Sequence, residues 1–195
     1  MTTRDTPWPD GYPNWVDLMT TDIDAARRFY GGLFGWDFAG GDEMGGYWMA
    51  QLDGSSVAGV GPMQMEGHPP VWTTYFATGD AEATADAAVG AGGKLVMPVG
   101  DVADFGRLAY LQDPTRGTFG LWQAGSHIGT GRVNEPGALI WNELATRDYA
   151  GAKDFYTAVF GFTYTEIGDG GFHYSTIEVD GQTVGGLGDL PPDVP

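Results

Sequence analysis

The stretch Trp15–Phe38 has the sequence WVDLMTTDIDAARRFYGGLFGWDF, and it decides the fold because the same pattern occurs twice in the chain. The second copy, WNELATRDYAGAKDFYTAVFGFTY, lies at Trp141–Tyr164, 126 positions later. Each copy begins with alternation typical of a strand, continues with apolar residues at helical spacing, and ends in a short second strand. A pattern repeated at this distance indicates a duplicated supersecondary unit.

The ends of both predicted helices are marked by the same residue types. Asp22 and Asp148 precede the helical segments and are suited to cap them, while Gly35 and Gly161 suit the left-handed conformation that often ends a helix. We expect the apolar helix positions to pin each helix to a sheet. They are Ala26, Phe29, Tyr30, Leu33 and Phe34 in the first copy, and Ala152, Phe155, Tyr156, Val159 and Phe160 in the second.

Three repeats of the order strand, helix and three strands (βαβββ) are predicted, which places the chain in the α+β class. Residues 14–63 form the first repeat and residues 71–124 the second, so that residues 1–133 make one domain. Residues 134–195 hold the third repeat, which is half of a second domain. At a shift of 127 the hairpin turn Asp53-Gly54 falls on Asp180-Gly181, which extends the duplication to the last strands.

An odd number of such repeats leaves one without a partner. A half-sheet alone exposes an apolar face and an unpaired edge. Either another chain supplies the partner, or the chain is a shortened form of a longer protein. We favour the shortened form, with a homodimer as one consequence of it.

Composition excludes several classes of protein. The 26 acidic and 9 basic residues give a net charge of −17, which argues against nucleic acid and acidic membranes as partners. No run approaches the ~18 apolar residues of a membrane span. Met1 to Pro13 lacks the apolar core of a signal peptide, and a cytoplasmic protein is expected. With no cysteine, disulfides and thiol catalysis are excluded.

The repeated motifs resemble those of the vicinal oxygen chelate superfamily, which includes glyoxalase I, bleomycin-resistance proteins and extradiol dioxygenases. The resemblance covers about residues 14 to 190 and is greatest to tandem glyoxalase-like proteins. It implies βαβββ units that pair into half-barrel sheets, with helices on the convex side and a small molecule on the concave face. It is carried by Asp22, Phe29-Tyr30 and Phe34-Gly35-Trp36, by Asp148, Phe155-Tyr156 and Phe160-Gly161-Phe162, and by Asp113-Pro114 with Phe119-Gly120-Leu121-Trp122-Gln123.

The resemblance also says where a metal ion would be held. Metal-dependent relatives place His, Gln or Glu at the start of each first strand and Glu on each last strand. The corresponding positions here are Trp15, Trp72, Trp141, Gly59, Gly120 and Gly186. None has a ligating side chain, whereas a catalytic metal needs about three protein ligands. His68, His127 and His173 follow no ligand spacing, so we expect no metal and no cofactor.

Indole rings opposite glycines predict a slot for a planar or hydrophobic small molecule. The alternative is that the tryptophans fill the barrel and close it. The residues predicted to line the slot are Trp15, Met19, Gly59, Gly61, Trp72, Gly120, Trp122, Trp141 and Gly186.

Two carboxylates are candidates for catalysis. Strand alternation turns Asp17 the same way as Trp15, and Glu143 the same way as Trp141. A carboxylate beside an indole in a cleft acquires a raised pKa and accepts a proton, or it bonds an amide or a hydroxyl and does no chemistry. Arg107 is a candidate to neutralise a ligand carboxylate or a nearby aspartate.

Three functions follow from these residues. The first is a metal-free protein that binds a small hydrophobic or aromatic molecule. The second is a cofactor-independent lyase, isomerase or hydroxylase-type enzyme of secondary metabolism, with Asp17 or Glu143 as base. The third, a metal-dependent glyoxalase or dioxygenase, is disfavoured by the tryptophans and glycines at the ligand positions.

Overall fold

The three predicted βαβββ repeats are present in the computed structural model, which describes residues 2–63, 69–168, 171–191 and 193–194. The α+β fold class is therefore confirmed. In chain order the elements are β1 (Thr2–Thr3), β2 (Pro13–Thr20), α1 (Ile23–Phe34), β3 (Asp37–Gly41), a 3-10 turn (Asp42–Met44), β4 (Tyr47–Leu52), β5 (Ser55–Pro62), β6 (Val71–Ala77), α2 (Ala81–Gly90), β7 (Lys94–Val102), β8 (Gly106–Gln112), β9 (Thr118–Ala124), β10 (Arg132–Val133), β11 (Glu143–Thr146), α3 (Tyr149–Phe160), β12 (Thr163–Glu166), β13 (Tyr174–Val179) and β14 (Gln182–Asp189).

The predicted helix ends are confirmed. The carboxylate of Asp22 accepts the backbone N–H of Ala25 at 2.8 Å, and Asp148 accepts that of Gly151 at 2.9 Å. Both helices end at a left-handed glycine, with φ of 71° in α1 and 69° in α3. The two copies therefore begin and end in the same way.

The first compact unit comprises Met1–Pro7, Asn14–Tyr75 and Ile128–Ile140. Its strands lie in the order β3, β4, β5, β2, β6. The first strand of the repeat, β2, runs parallel to the last, β5, while β3, β4 and β5 pair antiparallel. This parallel pairing requires the helical crossover through α1, and it brings residues distant in sequence onto neighbouring strands.

The second compact unit comprises Trp8–Pro13, Phe76–His127 and Trp141–Pro195. Strands β9, β8 and β7 are neighbours in one sheet, and another sheet has the order β11, β14, β13, β12. As in the first repeat, β11 runs parallel to β14. The core lies between α3 and repeat two, where Phe155 packs on Phe119 with ring centroids 6.1 Å apart. There the hydroxyl of Tyr156 donates to buried Asp113 at 3.0 Å.

The apolar stripes of the two duplicated helices have different environments. In α3, Phe155 and Tyr156 are 3% and 6% exposed, which confirms that its stripe packs into a core. In α1, Phe29 is 62% exposed, and within the described residues the helix buries none of its side chains. The prediction that the stripe pins α1 to a sheet is therefore confirmed only in part: the ring of Tyr30 packs edge-on against Trp72 of β6 with centroids 5.1 Å apart, whereas Phe29 stays exposed. Burial of such a stripe depends on the element opposite, which α2 and β9 provide for α3.

Among the described residues, none of the helices has the length and hydrophobicity needed to cross a bilayer. The predicted domain boundary between residues 133 and 134 stays a prediction, and the two compact units divide the chain in another way.

Candidate functional site

The candidate site lies on one face of the first unit's sheet, where glycines make room for a tyrosine ring. Register places Asp17 beside Gly59, and Met19 beside Gly61. A Cβ atom at Gly59 would clash with the hydroxyl of Tyr47, and one at Gly61 would approach Cδ2 of that ring to 2.7 Å. Tyr47, which β4 supplies, therefore lies across both glycines. The predicted slot is filled by a side chain of the protein itself.

Four side chains on this face form a hydrogen-bonded group, which we name the Asp17 cluster: Trp15, Asp17, Tyr47 and Tyr75. The indole Nε1 of Trp15 donates to the Tyr47 hydroxyl at 2.9 Å. That hydroxyl donates to Oδ2 of Asp17 at 3.2 Å, and the Tyr75 hydroxyl donates to the same oxygen at 2.8 Å. Trp15, Asp17 and Tyr75 are buried, while Tyr47 is half-buried. The cluster thus reaches solvent through Tyr47.

Burial controls the chemistry of Asp17. Loss of solvation raises the pKa of its carboxyl to about 7, and the hydrogen bonds from Tyr75 and Tyr47 act in the opposite direction. The second carboxyl oxygen, Oδ1, is buried without a hydrogen-bond partner among the described residues. A buried oxygen without a partner costs free energy whether or not the group is ionised. Asp17 is therefore prepared to accept a hydrogen bond or to exchange a proton near neutral pH.

Trp72, also predicted to line the slot, does not join this cluster, and its role in ligand binding stays a prediction. Its indole donates to the Tyr30 hydroxyl of α1 at 2.9 Å. In strand β6, Trp72 and Tyr75 are three residues apart and so point to opposite faces. Trp72 corresponds to Trp15 in the repeat pattern, although the strand places Tyr75 on the face of Asp17.

Trp122 and Gly120, also predicted to line the slot, lie on β9 in the second unit. The indole of Trp122 is buried and donates to the carbonyl oxygen of His127 at 2.9 Å. Their role in ligand binding stays a prediction. Of the two roles predicted for Arg107, the structure shows neutralisation of a nearby aspartate, because its guanidinium pairs with Asp101 at 3.1 Å and also with Glu82 at 2.9 Å.

Sequence reasoning missed two members of the cluster, Tyr47 and Tyr75. Both had a signal. At the shift of 127, Tyr47 falls on Tyr174, so a tyrosine recurs opposite each glycine pair. Counting back from the N-cap residues identifies the other, because Asp17 and Tyr75 each lie five positions before a capping aspartate.

The duplication places a second group at the equivalent position of the second unit, which we name the Glu143 cluster: Trp141, Glu143 and Tyr174. The Tyr174 hydroxyl donates to Oε2 of Glu143 at 2.7 Å. A Cβ atom at Gly188 would approach the Tyr174 ring to 2.6 Å, and one at Gly186 would approach the Trp141 ring to 3.2 Å. Partial burial and then the bond to Glu143 raise the pKa of Tyr174.

Unlike its counterpart, the Glu143 cluster is open. Trp141 is 44% exposed, whereas Trp15 is 4% exposed. Glu143 is exposed as well. The two predicted carboxylates therefore have different environments, and Asp17 alone is buried.

The residues of the Asp17 cluster do not fit a divalent metal ion. The donor set is one carboxylate, two phenols that donate their protons to it, and an indole, whereas catalytic metals need about three strong ligands. Within the described ranges, groups of three or more His, Cys, Asp or Glu side chains suited to a metal are absent. His173 bonds Asp189 at 2.9 Å, and burial lowers the pKa of His127 to about 4. His68 lies outside the described residues.

Comparison with known proteins adds to this geometry. The sequence model of the Glyoxalase/Bleomycin resistance protein/Dioxygenase superfamily matches residues 12–119. CFP32 of Mycobacterium tuberculosis, provisionally named a glyoxylase, is 45% identical over 193 residues, which are 95% of this chain and 74% of that protein. The anthracycline biosynthesis protein DnrV of Streptomyces peucetius is 35% identical over 179 residues, 84% of this chain and 65% of that protein.

Solved structures resemble the chain in fold. The Mn(II)-bound glyoxalase of Novosphingobium aromaticivorans has a TM-score of 0.68 and 16% identity, covering 94% of this chain and 64% of that one. The 2,2',3-trihydroxybiphenyl 1,2-dioxygenase of Sphingomonas wittichii has a TM-score of 0.65 and 13% identity, covering 93% and 68%. The chain thus spans just under two thirds of the glyoxalase structure, and identities this low show the fold alone.

Proposed function

Because this chain belongs to the Glyoxalase/Bleomycin resistance protein/Dioxygenase superfamily, we propose that it binds a small aromatic molecule at the Asp17 cluster without a metal ion. The observation that carries this proposal is the buried Oδ1 of Asp17, which has no partner among the described residues. Buried polar atoms of native proteins are nearly always hydrogen-bonded. A ligand hydroxyl or N–H supplies the missing partner.

The side chains around Asp17 define the class of ligand. The half-buried ring of Tyr47 offers a face for stacking, worth about 0.5–1.5 kcal/mol beyond area burial. The chain's net charge of −17 opposes the approach of an anion. A neutral, planar molecule with a hydrogen-bond donor on its edge meets both conditions. Its route is past Tyr47, the half-buried member of the cluster.

The name of DnrV supports a ligand of this kind. DnrV is named for anthracycline biosynthesis, and it is 35% identical to this chain. An anthracycline carries fused aromatic rings with hydroxyl groups on their edges. Hydroxylated anthraquinones are therefore suitable probes.

Calorimetric titration with a neutral hydroxylated anthraquinone tests the proposal. We expect saturable binding to the wild type and roughly tenfold weaker binding to Asp17→Asn, since a hydrogen bond to a charged group is worth about 1.5–3 kcal/mol. Asp37→Asn, an exposed residue of β3, is the matched control and leaves affinity unchanged. The proposal is wrong if the wild type does not bind the probe, or if Asp17→Asn binds it equally well.

The same carboxyl favours a second function, proton transfer in a lyase, isomerase or hydroxylase-type reaction. Its pKa of about 7 is that of an efficient general base at neutral pH. This proposal rests on Asp17 alone, because Glu143 is exposed. With a substrate in hand, the rate should rise with pH through about 7, and Asp17→Asn should abolish turnover at saturating substrate, a loss far greater than its roughly tenfold weaker binding. Turnover that persists in this variant excludes Asp17 as the base.

A further inference from the structure

The slot on the first unit's sheet holds a ring that belongs to the chain itself. Tyr47 lies across Gly59 and Gly61, and a Cβ atom at Gly61 would come within 2.7 Å of that ring. The sulfur of Met19 is 3.1 Å from the same Cβ position, so it borders the ring. The floor under the ring is therefore bare backbone. Another flat ring of similar size finds the same floor once the tyrosine has left it.

The hydroxyl of Tyr47 has two hydrogen-bonding roles at once. It accepts the indole N–H of Trp15 at 2.9 Å and donates to Oδ2 of Asp17 at 3.2 Å. A phenol hydroxyl can do both, whereas an amide N–H only donates. Oδ1 of the same carboxyl is buried without a partner among the described residues, which leaves an acceptor for a second hydroxyl. A phenol that takes the place of the tyrosine therefore preserves both of its contacts.

The two tyrosines that bond Asp17 are held differently. Tyr75 lies within β6 and is 2% exposed. Tyr47 is half-buried and is the first residue of β4. Its hydrogen bond to the carboxyl is also the longer one, 3.2 Å against 2.8 Å. Tyr47 is therefore the tyrosine that can turn towards solvent.

The segment before Tyr47 has a pair of glycines at each end. Gly40-Gly41 precede the 3-10 turn Asp42–Met44 and Gly45-Gly46 follow it, with positive φ values of 106°, 93°, 63° and 89°. Glycine adopts such conformations without the steric cost of a Cβ atom, and hinges are made of a few residues that absorb changes in φ and ψ. Among the described residues, a Cβ atom at Gly45 would have no neighbour within 4 Å. The backbone next to Tyr47 thus has room to adjust when the side chain turns.

We propose that the slot over Gly59 and Gly61 is a phenol subsite, which Tyr47 occupies until a ligand displaces it. This inference rests on the function proposed above and narrows its ligand to a planar phenol. The ligand's hydroxyl then bonds the indole of Trp15 and the carboxyl of Asp17. Turned towards solvent, the Tyr47 ring keeps a face for stacking on the ligand. Because the tyrosine competes with the ligand, the apparent Kd is the intrinsic Kd divided by the fraction of molecules whose slot is open.

Tyr47→Phe tests this competition with the same neutral hydroxylated anthraquinone. The variant keeps the ring but loses both hydrogen bonds of the hydroxyl, so a larger fraction of molecules has an open slot. Calorimetry should show the probe binding about tenfold more tightly than to the wild type. A tyrosine that only lined the site would leave the affinity unchanged or weaken it. Tyr164→Phe is the control, because it removes a hydroxyl that bonds the carbonyl oxygen of Lys153 in the second unit, and it should bind as the wild type does.

Chemical complementation tests the subsite without the anthraquinone. Tyr47→Ala removes the ring, and p-cresol, which matches the tyrosine side chain as a free molecule, should raise the melting temperature of this variant in a saturable way. Toluene lacks the hydroxyl and should bind about tenfold more weakly. The wild type, whose slot is filled, should need a far higher p-cresol concentration. Adding Gly59→Ala to the variant should abolish the response, because its Cβ atom would clash with a hydroxyl at the position of the tyrosine's.

The outcomes separate this inference from the function on which it rests. If the wild type binds the anthraquinone and Tyr47→Phe binds it no more tightly, the inference alone is overturned. The same holds if Tyr47→Ala folds and p-cresol does not stabilise it. If the anthraquinone binds neither the wild type nor Tyr47→Phe while p-cresol stabilises Tyr47→Ala, the phenol subsite stands and the ligand proposed above is wrong. Tyr47→Phe keeps the packed ring, so it decides the question if Tyr47→Ala does not fold.

Discussion

Asp17 makes the stability of the folded chain depend on pH. Its pKa is about 7 in the folded state against an ordinary value of 3.8, so between these values the unfolded chain gives up a proton that the folded chain keeps. The contribution of Asp17 to the free energy of unfolding therefore has its full value below about pH 3.8, falls as the pH rises to about 7, and is constant above that pH. Asp17→Asn removes the effect.

The expected advantage of Asp17→Asn thus grows with pH. Each pKa unit is worth about 1.4 kcal/mol, so the variant should gain about 4 kcal/mol over the wild type between pH 4 and pH 8. Urea unfolding of both proteins at several pH values measures this difference, in which the titration of all other groups cancels. A difference that does not change with pH would show that the carboxyl is hydrated.

Gly59 has a different importance, which is purely steric. A Cβ atom there would clash with the hydroxyl of Tyr47, so Gly59→Ala should displace that ring and destabilise the fold by about 1–3 kcal/mol. Gly32 in α1 has open space around it, and Gly32→Ala should stabilise by about 0.4–1 kcal/mol. Thermal unfolding measures both variants, and equal changes in melting temperature would contradict the packing of Tyr47 against Gly59.

The duplicated helices allow a matched experiment at the scale of the element. Phe29 and Phe155 occupy the same position of the repeat, yet they are 62% and 3% exposed. Phe155→Ala should therefore lower the free energy of unfolding by about 3–5 kcal/mol, whereas Phe29→Ala should change it by no more than about 0.5 kcal/mol. Chemical unfolding measures both. If the loss from Phe29→Ala matches that from Phe155→Ala, α1 is covered in solution.

Elements of this fold were predictable wherever the cause is local. The capping carboxylates of Asp22 and Asp148 accept hydrogen bonds from amides three residues away, and contacts at such short range can be predicted from the sequence. The repeat itself follows from self-comparison. Tyr75 was missed because its partner, Asp17, lies on the first strand of another repeat. The exposure of Phe29 was missed because burial depends on the element opposite, which spacing alone does not reveal.

At the scale of the whole molecule, the surplus of acidic residues opposes folding by mutual repulsion. With a net charge of −17, adding sodium chloride from low ionic strength to about 0.15 M should raise the melting temperature, because the screening length falls to about 8 Å. Circular dichroism at a series of salt concentrations tests this expectation. A melting temperature that stays constant or falls would mean that local pairing already compensates the charge.

Trp15 and Trp141 occupy the same position of the repeat, yet one indole is 4% and the other 44% exposed. An indole shielded from water emits at shorter wavelength than one in contact with it. Replacing one of these two indoles at a time with phenylalanine should therefore remove emission at the blue side for Trp15 and at the red side for Trp141, against the background of the chain's five other tryptophans.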